Sequence, residues 1–358
     1  MIVQRPAGLR AILVIATILA MACGIYGGLV RIGMPLLPGG ALAELHGPLM
    51  IAGVFGTLIS LERAVAMGWR WPFLAPIGSG LGAIALLAGV PVELGALLFA
   101  ASAAVLSFAS LRILLLQPAL FTAVLLAAAL SGLIGNMLWL SGAAVPEVVG
   151  WWMAFLVCTI AAERLELSRV LRHGRLAAYL FVAAVALLFA GAGLGVTATP
   201  GRLLLGVSFV TITIWLARFD IATRTVRHSG QARFFAVAML AGYFWLAVSG
   251  LLLAFASGAT FAYDMTTHSV LIGFVLSMVF GHALIILPAV AGIRLTYHRA
   301  LYLPLGLLHL SVIMRLAGGV TESDLLRIGS GIATAAALVT FGSLLAIVSG
   351  TKRAAVRP

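Results

Sequence analysis

The sequence predicts an all-α polytopic membrane protein built from twelve transmembrane helices in a single domain, residues 1–358. Three observations lead to that fold class. Of the residues, 63% are hydrophobic and only 9% charged, with a mean hydropathy of +1.18. A soluble domain carries about 25% charged residues, so this chain lacks the polar surface for a water-facing shell. The same composition excludes a disordered chain. Gly, Pro and charged residues cut the apolar runs into pieces near the ~20-residue length that crosses a bilayer. Finally, the basic residues fall on alternate ends of those pieces, as the positive-inside rule requires.

In chain order the predicted spans are 10–31, 46–67, 72–90, 93–116, 119–141, 146–167, 176–196, 200–219, 232–256, 264–290, 299–317 and 323–349. The first begins behind Arg5 and Arg10. It is similar to a secretory signal, with Ala22-Cys23 as a poor lipoprotein site, but its apolar run continues through Ile25, Tyr26, Leu29 and Val30. The third and fourth are divided only by Pro91 and Glu93. The last begins after Thr321 and Ser323, either of which suits an N-cap. Cys23 and Cys158 lie singly in apolar runs and form neither a disulfide framework nor a zinc site.

With the N-terminus inside, all of the 22 Lys and Arg residues except Arg31, Arg202, Arg315 and Arg327 fall on the inner side. Both termini are therefore expected to be cytoplasmic, in a bacterial inner membrane. The net charge of +12 is loop charge facing that side rather than a nucleic-acid surface. Membrane lipid is the expected surrounding. Trp139, Trp151 and Trp152 are expected in an outer aromatic belt, and Trp69 and Trp71 in an inner one. Glu62-Arg63 and Glu163-Arg164 end the second and sixth spans at the inner side. They read either as snorkelling pairs or as a cytoplasmic vestibule. Aligning them suggests an internal repeat of four helices, 9–116, 119–220 and 231–350.

Histidines carry the functional signal, because an ionisable group inside a membrane is costly. His173, His228 and His298 lie beside arginines in inner loops. His46 opens the second span, with Met50 and Gly53 following on its face at helical spacing. His268 opens the tenth, with Gly273 and Met278 after it. The topology puts both at the outer side and similar depth. A glycine below each leaves room for a flat macrocycle, and two imidazoles so placed suit axial ligation of haem iron. Thr266, Thr267 or Asp264 is available to hold the second ring nitrogen of His268. His282, fourteen residues on, falls on nearly the same face as His268 in a regular helix. It and His309 are weaker candidates for metal ligation.

Twelve spans with histidines opening the second and tenth resemble subunit I of haem-copper oxidases, and more closely the NnrS family of membrane haem proteins. His46-Met50-Gly53 and His268-Gly273-Met278 carry the likeness. The resemblance implies three four-helix arcs and haem b held by His46 and His268, with a role in electron transfer, nitric oxide handling or denitrification. Partners would be a diatomic gas or a redox protein. The chain departs from the family at Pro48 and Leu49, where a second histidine and an acid are expected, and it lacks the oxidase copper triad, so copper is not expected. Arg31, Arg315 and Arg327 are candidates for the haem propionates; Glu322 and Asp324 offer Arg327 a competing loop ion pair. Other readings of the same chain are a cofactor-free small-molecule or ion transporter and a membrane assembly subunit. No nucleic-acid partner is expected.

Overall fold

The computed structural model describes residues 7–34, 40–168, 174–293 and 295–350. Arg5, Arg169, Arg172, His173, Arg294, Lys352, Arg353 and Arg357, assigned above to loops or termini, lie outside the described residues. The described residues are 87% helical, with no strand among them. The helices are α1 (Ala7–Arg31), α2 (Gly40–Met67), α3 (Trp71–Leu87), α4 (Val92–Leu116), α5 (Leu120–Leu140), α6 (Val145–Ser168), α7 (Arg175–Leu194), α8 (Thr199–Phe219), α9 (Gly230–Phe255), α10 (Ala262–Val290), α11 (Arg299–Val320) and α12 (Asp324–Gly350). This is an all-α polytopic membrane protein. Among the described residues, eleven of the helices are long and apolar enough to cross a membrane, whereas α3 is a shorter apolar helix. The expected count of twelve spans is therefore not matched at α3. That helix stops early because Gly89, at φ 72°, takes the left-handed conformation that closes a helix. The Val90 N–H donates to the Ala85 carbonyl and the Gly89 N–H to that of Leu86. Gly142 (φ 93°) ends α5 in the same way.

The chain divides into two compact units. The first comprises Met1–Glu166, Phe189–Gly201 and Ala289–Ala291; the second comprises Leu167–Leu188, Arg202–Pro288 and Gly292–Pro358. In the first, α1 to α4 share a core of Ala20, Leu49, Ala52, Val54, Ala83, Leu86 and Phe99. Asn136 on α5 ties this core together: its amide donates to the Phe99 carbonyl (3.0 Å) and accepts from the Trp152 indole N–H (2.9 Å). Trp152 is only 1% exposed, so it is a core residue and not part of an outer belt. Burial there is possible because Asn136 satisfies its N–H.

In the second unit, hydroxyls reach from one helix to the next. Ser277 donates to Ala238, Ser249 to Thr266, Ser208 to Ala184 and Thr334 to the Ser311 hydroxyl. Bonds of this kind contribute about 0.6 kcal/mol each between membrane helices, where apolar burial drives little association. Ser323 accepts from Leu326 N–H at 3.4 Å and caps α12 as expected.

Two helices are irregular. Residues Leu49–Phe55 of α2 and Ser269–Leu276 of α10 are π-helical. Pro48, the ninth residue of α2, explains the first. It has no N–H to donate back along the helix, and the ladder is re-registered beyond it. Both helices also begin earlier than expected, at Gly40 and Ala262. His46 and His268 therefore sit well inside their helices, close to the α-to-π junctions, and do not open them.

Candidate functional site

The four helical histidines can be sorted by what holds each Nδ1. In the first unit, His46 Nδ1 lies 2.7 Å from the Gly24 carbonyl of α1. A carbonyl only accepts, so Nδ1 carries the proton and Nε2 carries the ring's lone pair. The close approach depends on glycine. A Cβ on Gly28 would stand 2.8 Å from His46 Cε1, and one on Gly27 would overlap the Leu42 carbonyl. These α1 glycines were not singled out from the sequence, although small residues at helical spacing are the mark of a close membrane-helix contact.

In the second unit, His268 Nδ1 lies 2.9 Å from the Asp264 carbonyl and 3.2 Å from its Oδ1. Of the three residues expected to hold this ring, Asp264 does so; the Thr267 hydroxyl is at 3.4 Å. His282 Nδ1 lies 2.8 Å from the Met278 carbonyl. His46, His268 and His282 are thus each held at Nδ1 by a backbone carbonyl oxygen. His309 is held differently. Trp245 donates its indole N–H to His309 Nδ1 (2.9 Å), so the neutral ring carries its proton on Nε2, a buried atom with no hydrogen-bond partner. In that state both ring nitrogens of His309 are committed, Nδ1 to Trp245 and Nε2 to its proton. Among the described residues, no three His, Cys, Asp or Glu side chains cluster to cage a metal ion.

His282 does not share a face with His268. The eight π residues between them each turn roughly 80° instead of about 100°, which carries His282 round the helix. It packs edge-on to Phe235 of α9 at 4.7 Å, whereas Asp264, one turn before His268, reaches Arg315 of α11. The same re-registration breaks the helical spacing that joined His46 to Met50 and Gly53. The glycines expected to admit a macrocycle are covered by protein. A Cβ on Gly53 would meet Ala83 at 3.3 Å, and one on Gly273 would meet the Trp245 ring at 2.5 Å. Met50 packs toward Gly24 and Met278 toward Gly242. These four residues hold helices together, because adjacent helices fill the space that sequence spacing alone left open.

The arginines expected to face an anion differ in their surroundings. Arg31 is exposed. Arg315 is 6% exposed and grips Asp264 with two bonds, Nε to Oδ2 at 2.9 Å and Nη2 to Oδ1 at 2.8 Å. Arg327 pairs with Asp324 at 3.0 Å and lies over the Phe261 ring at 3.7 Å, so the competing loop pair is the one formed. In the first unit, Arg63 of α2 donates to Glu163 of α6 at 2.6 Å. One residue from each Glu-Arg pair noted in the sequence, Arg63 and Glu163, thus meets the other between helices. His298 is exposed and accepts from Ala300 N–H at 3.1 Å; His228 is exposed.

Residues 10–350 match the family described as Domain of unknown function (DUF8744). The chain belongs to this family. No curated protein matches it. In this DUF8744 chain, then, the chemistry rests on its own donor set. That set is three imidazoles, His46, His268 and His282, each with Nδ1 within hydrogen-bond distance of a backbone carbonyl oxygen, while the faces at Gly53 and Gly273 are closed by protein.

Proposed function

We propose that this membrane protein binds b-type haem, with His46 and His268 each an axial ligand through Nε2, and that it serves a redox or nitric oxide-related role. The observation that carries the reading is the fixing of Nδ1 on each ring, by the Gly24 carbonyl and by Asp264. Such anchoring keeps each ring from turning over. Bound haem would supply electron transfer or binding of a diatomic gas. The chain's residues orient the ligands, and Asp264 adds basicity to His268. Arg31, exposed at the end of α1, remains a candidate cation for a propionate. An orientation with both termini cytoplasmic belongs to the same reading.

Purified in detergent without an affinity tag, the protein should show a Soret band with low-spin alpha and beta bands. His46→Ala and His268→Ala should each abolish or convert that spectrum, while His309→Ala leaves it intact. Retention of the wild-type bands in both alanine variants would place the haem elsewhere. A haem-free wild type would favour a transporter, the reading supported by the π-helical interruptions of α2 and α10, since irregular helices frame substrate sites in such proteins.

A further inference from the structure

In the second unit, two arginines without a carboxylate partner lie beside two tyrosines. Arg233, in the first turn of α9, is exposed, and so is Arg299 at the start of α11. Neither makes an ion pair among the described residues. Asp220, the nearest acid before Arg233 in sequence, is 1% exposed and committed to the Ala222 N–H (2.6 Å) and the Tyr243 hydroxyl (2.9 Å). Glu322 and Asp324 follow the far end of α11, about 30 Å from its start.

Buried Phe234 draws the cluster together. Its ring packs against Tyr302 at 5.2 Å and Tyr297 at 6.1 Å. Tyr302 follows Arg299 by three residues, and the Arg233 charge is close enough to act on its hydroxyl. His298 accepts from Ala300 N–H at 3.1 Å and so fixes the turn that carries Arg299. Guanidinium groups suit a phosphate, and tyrosine favours the membrane–water boundary.

Behind the charges lies an apolar length. Leu303, Gly306, Leu310 and Ile313 follow Arg299 at steps of four, three, four and three, the spacing of one helix face, and all are exposed. A Cβ on Gly306 would meet nothing within 4 Å, so the stripe is notched there. From Arg299 to Ile313 it runs about 21 Å, more than the ~15 Å hydrocarbon depth of one leaflet. Free phosphate would use only the charged end; a lipid uses both.

We propose that the starts of α9 and α11 bind an anionic phospholipid. Arg233 and Arg299 hold its phosphate, with the Tyr297 and Tyr302 hydroxyls beside them, and an acyl chain follows the stripe past Gly306. The site does not depend on the haem reading. Native mass spectrometry of the detergent-purified full-length protein tests it, with phosphatidylglycerol and phosphatidylcholine of the same chains offered together. An arginine near an anionic lipid is worth about fivefold in binding. Wild type should therefore favour phosphatidylglycerol by about 25-fold, Arg233→Gln and Arg299→Gln by about fivefold each, and the double variant scarcely at all. Gly306→Phe, which fills the notch, should weaken retention of phosphatidylglycerol. Arg227, exposed on the connection before α9, is the control, and Arg227→Gln should keep the wild-type preference.

Should the double glutamine variant fail to fold, Arg233→Gln and Arg299→Gln alone still carry the test. A wild type without preference, or arginine variants that keep it, overturns the site. So does an equal loss in Arg227→Gln, which would make the effect one of general surface charge. Displacement of the lipid by millimolar inorganic phosphate would likewise overturn it in favour of a free-anion site.

Discussion

Replacing Gly28 with alanine tests the seat of His46 directly. The new Cβ would lie 2.8 Å from His46 Cε1 and 2.9 Å from Nδ1. Ordinary contact for such a pair begins near 3.4 Å, so the ring must withdraw by about 0.6 Å. Its bond to the Gly24 carbonyl, now 2.7 Å, would then stretch past about 3.2 Å, the outer limit of a good N–H···O bond. Loss of that bond costs ~1 kcal/mol, and crowding a packed interface costs about 1–3 kcal/mol more. The Gly28→Ala protein should therefore be less stable by about 2–4 kcal/mol. It should also retain less haem, because Nε2 moves with the ring. Thermal unfolding in detergent and Soret absorbance per protein measure the two effects. Gly342→Ala is the control, since nothing lies within 4 Å of its added Cβ. Wild-type stability and wild-type haem content in Gly28→Ala would refute the close-packed seat.

Three further outcomes follow from other contacts. Arg63→Met and Glu163→Gln should each destabilise by about 3 kcal/mol, because each removes one member of a mostly buried ion pair. The double variant should lose clearly less than the two together, and additive losses in a double-mutant cycle would refute the pairing. Gly273→Ala, which forces a Cβ to 2.5 Å from the Trp245 ring, should cost about 1–3 kcal/mol and shift tryptophan fluorescence, with an unchanged emission maximum counting against the contact. Reporter fusions after residues 40, 145 and 260 should read periplasmic; a cytoplasmic signal at any of them would undo the proposed orientation.

The helices were legible because apolar length and its punctuation are local properties. Pro91 and Glu93 mark the break before α4, and Ser323 marks the start of α12. The histidines were legible as candidates for the same reason: each is an ionisable side chain in an apolar run. What failed was phase. Pro48 signals a disturbed ladder in α2, but the π stretch of α10 has no proline, and its one glycine, Gly273, does not distinguish it from a regular helix. Face arguments built on regular spacing therefore misplaced Met50, Gly53 and His282. Contacts between distant residues were also beyond reach. Arg63 and Glu163 are 100 residues apart, and Asp264 and Arg315 are 51 apart. Nothing in their local sequence names the partner. Trp152 looked like an interfacial residue because Asn136, which satisfies its N–H, is on another helix.

The π stretch of α2 also acts as a gear between two halves of one helix. The half ending at Pro48 is meshed with α1 through His46, and the half from Gly56 is meshed with α6 through Arg63. Between them lie seven residues whose looser winding sets the angle at which the second half leaves the first. Deleting a single residue within Leu49–Phe55 would turn Arg63 by about 100° relative to His46, while each half kept its own hydrogen bonds. A change of one residue in length, far from either side chain, would then uncouple the ion pair at one end of the helix from the histidine at the other.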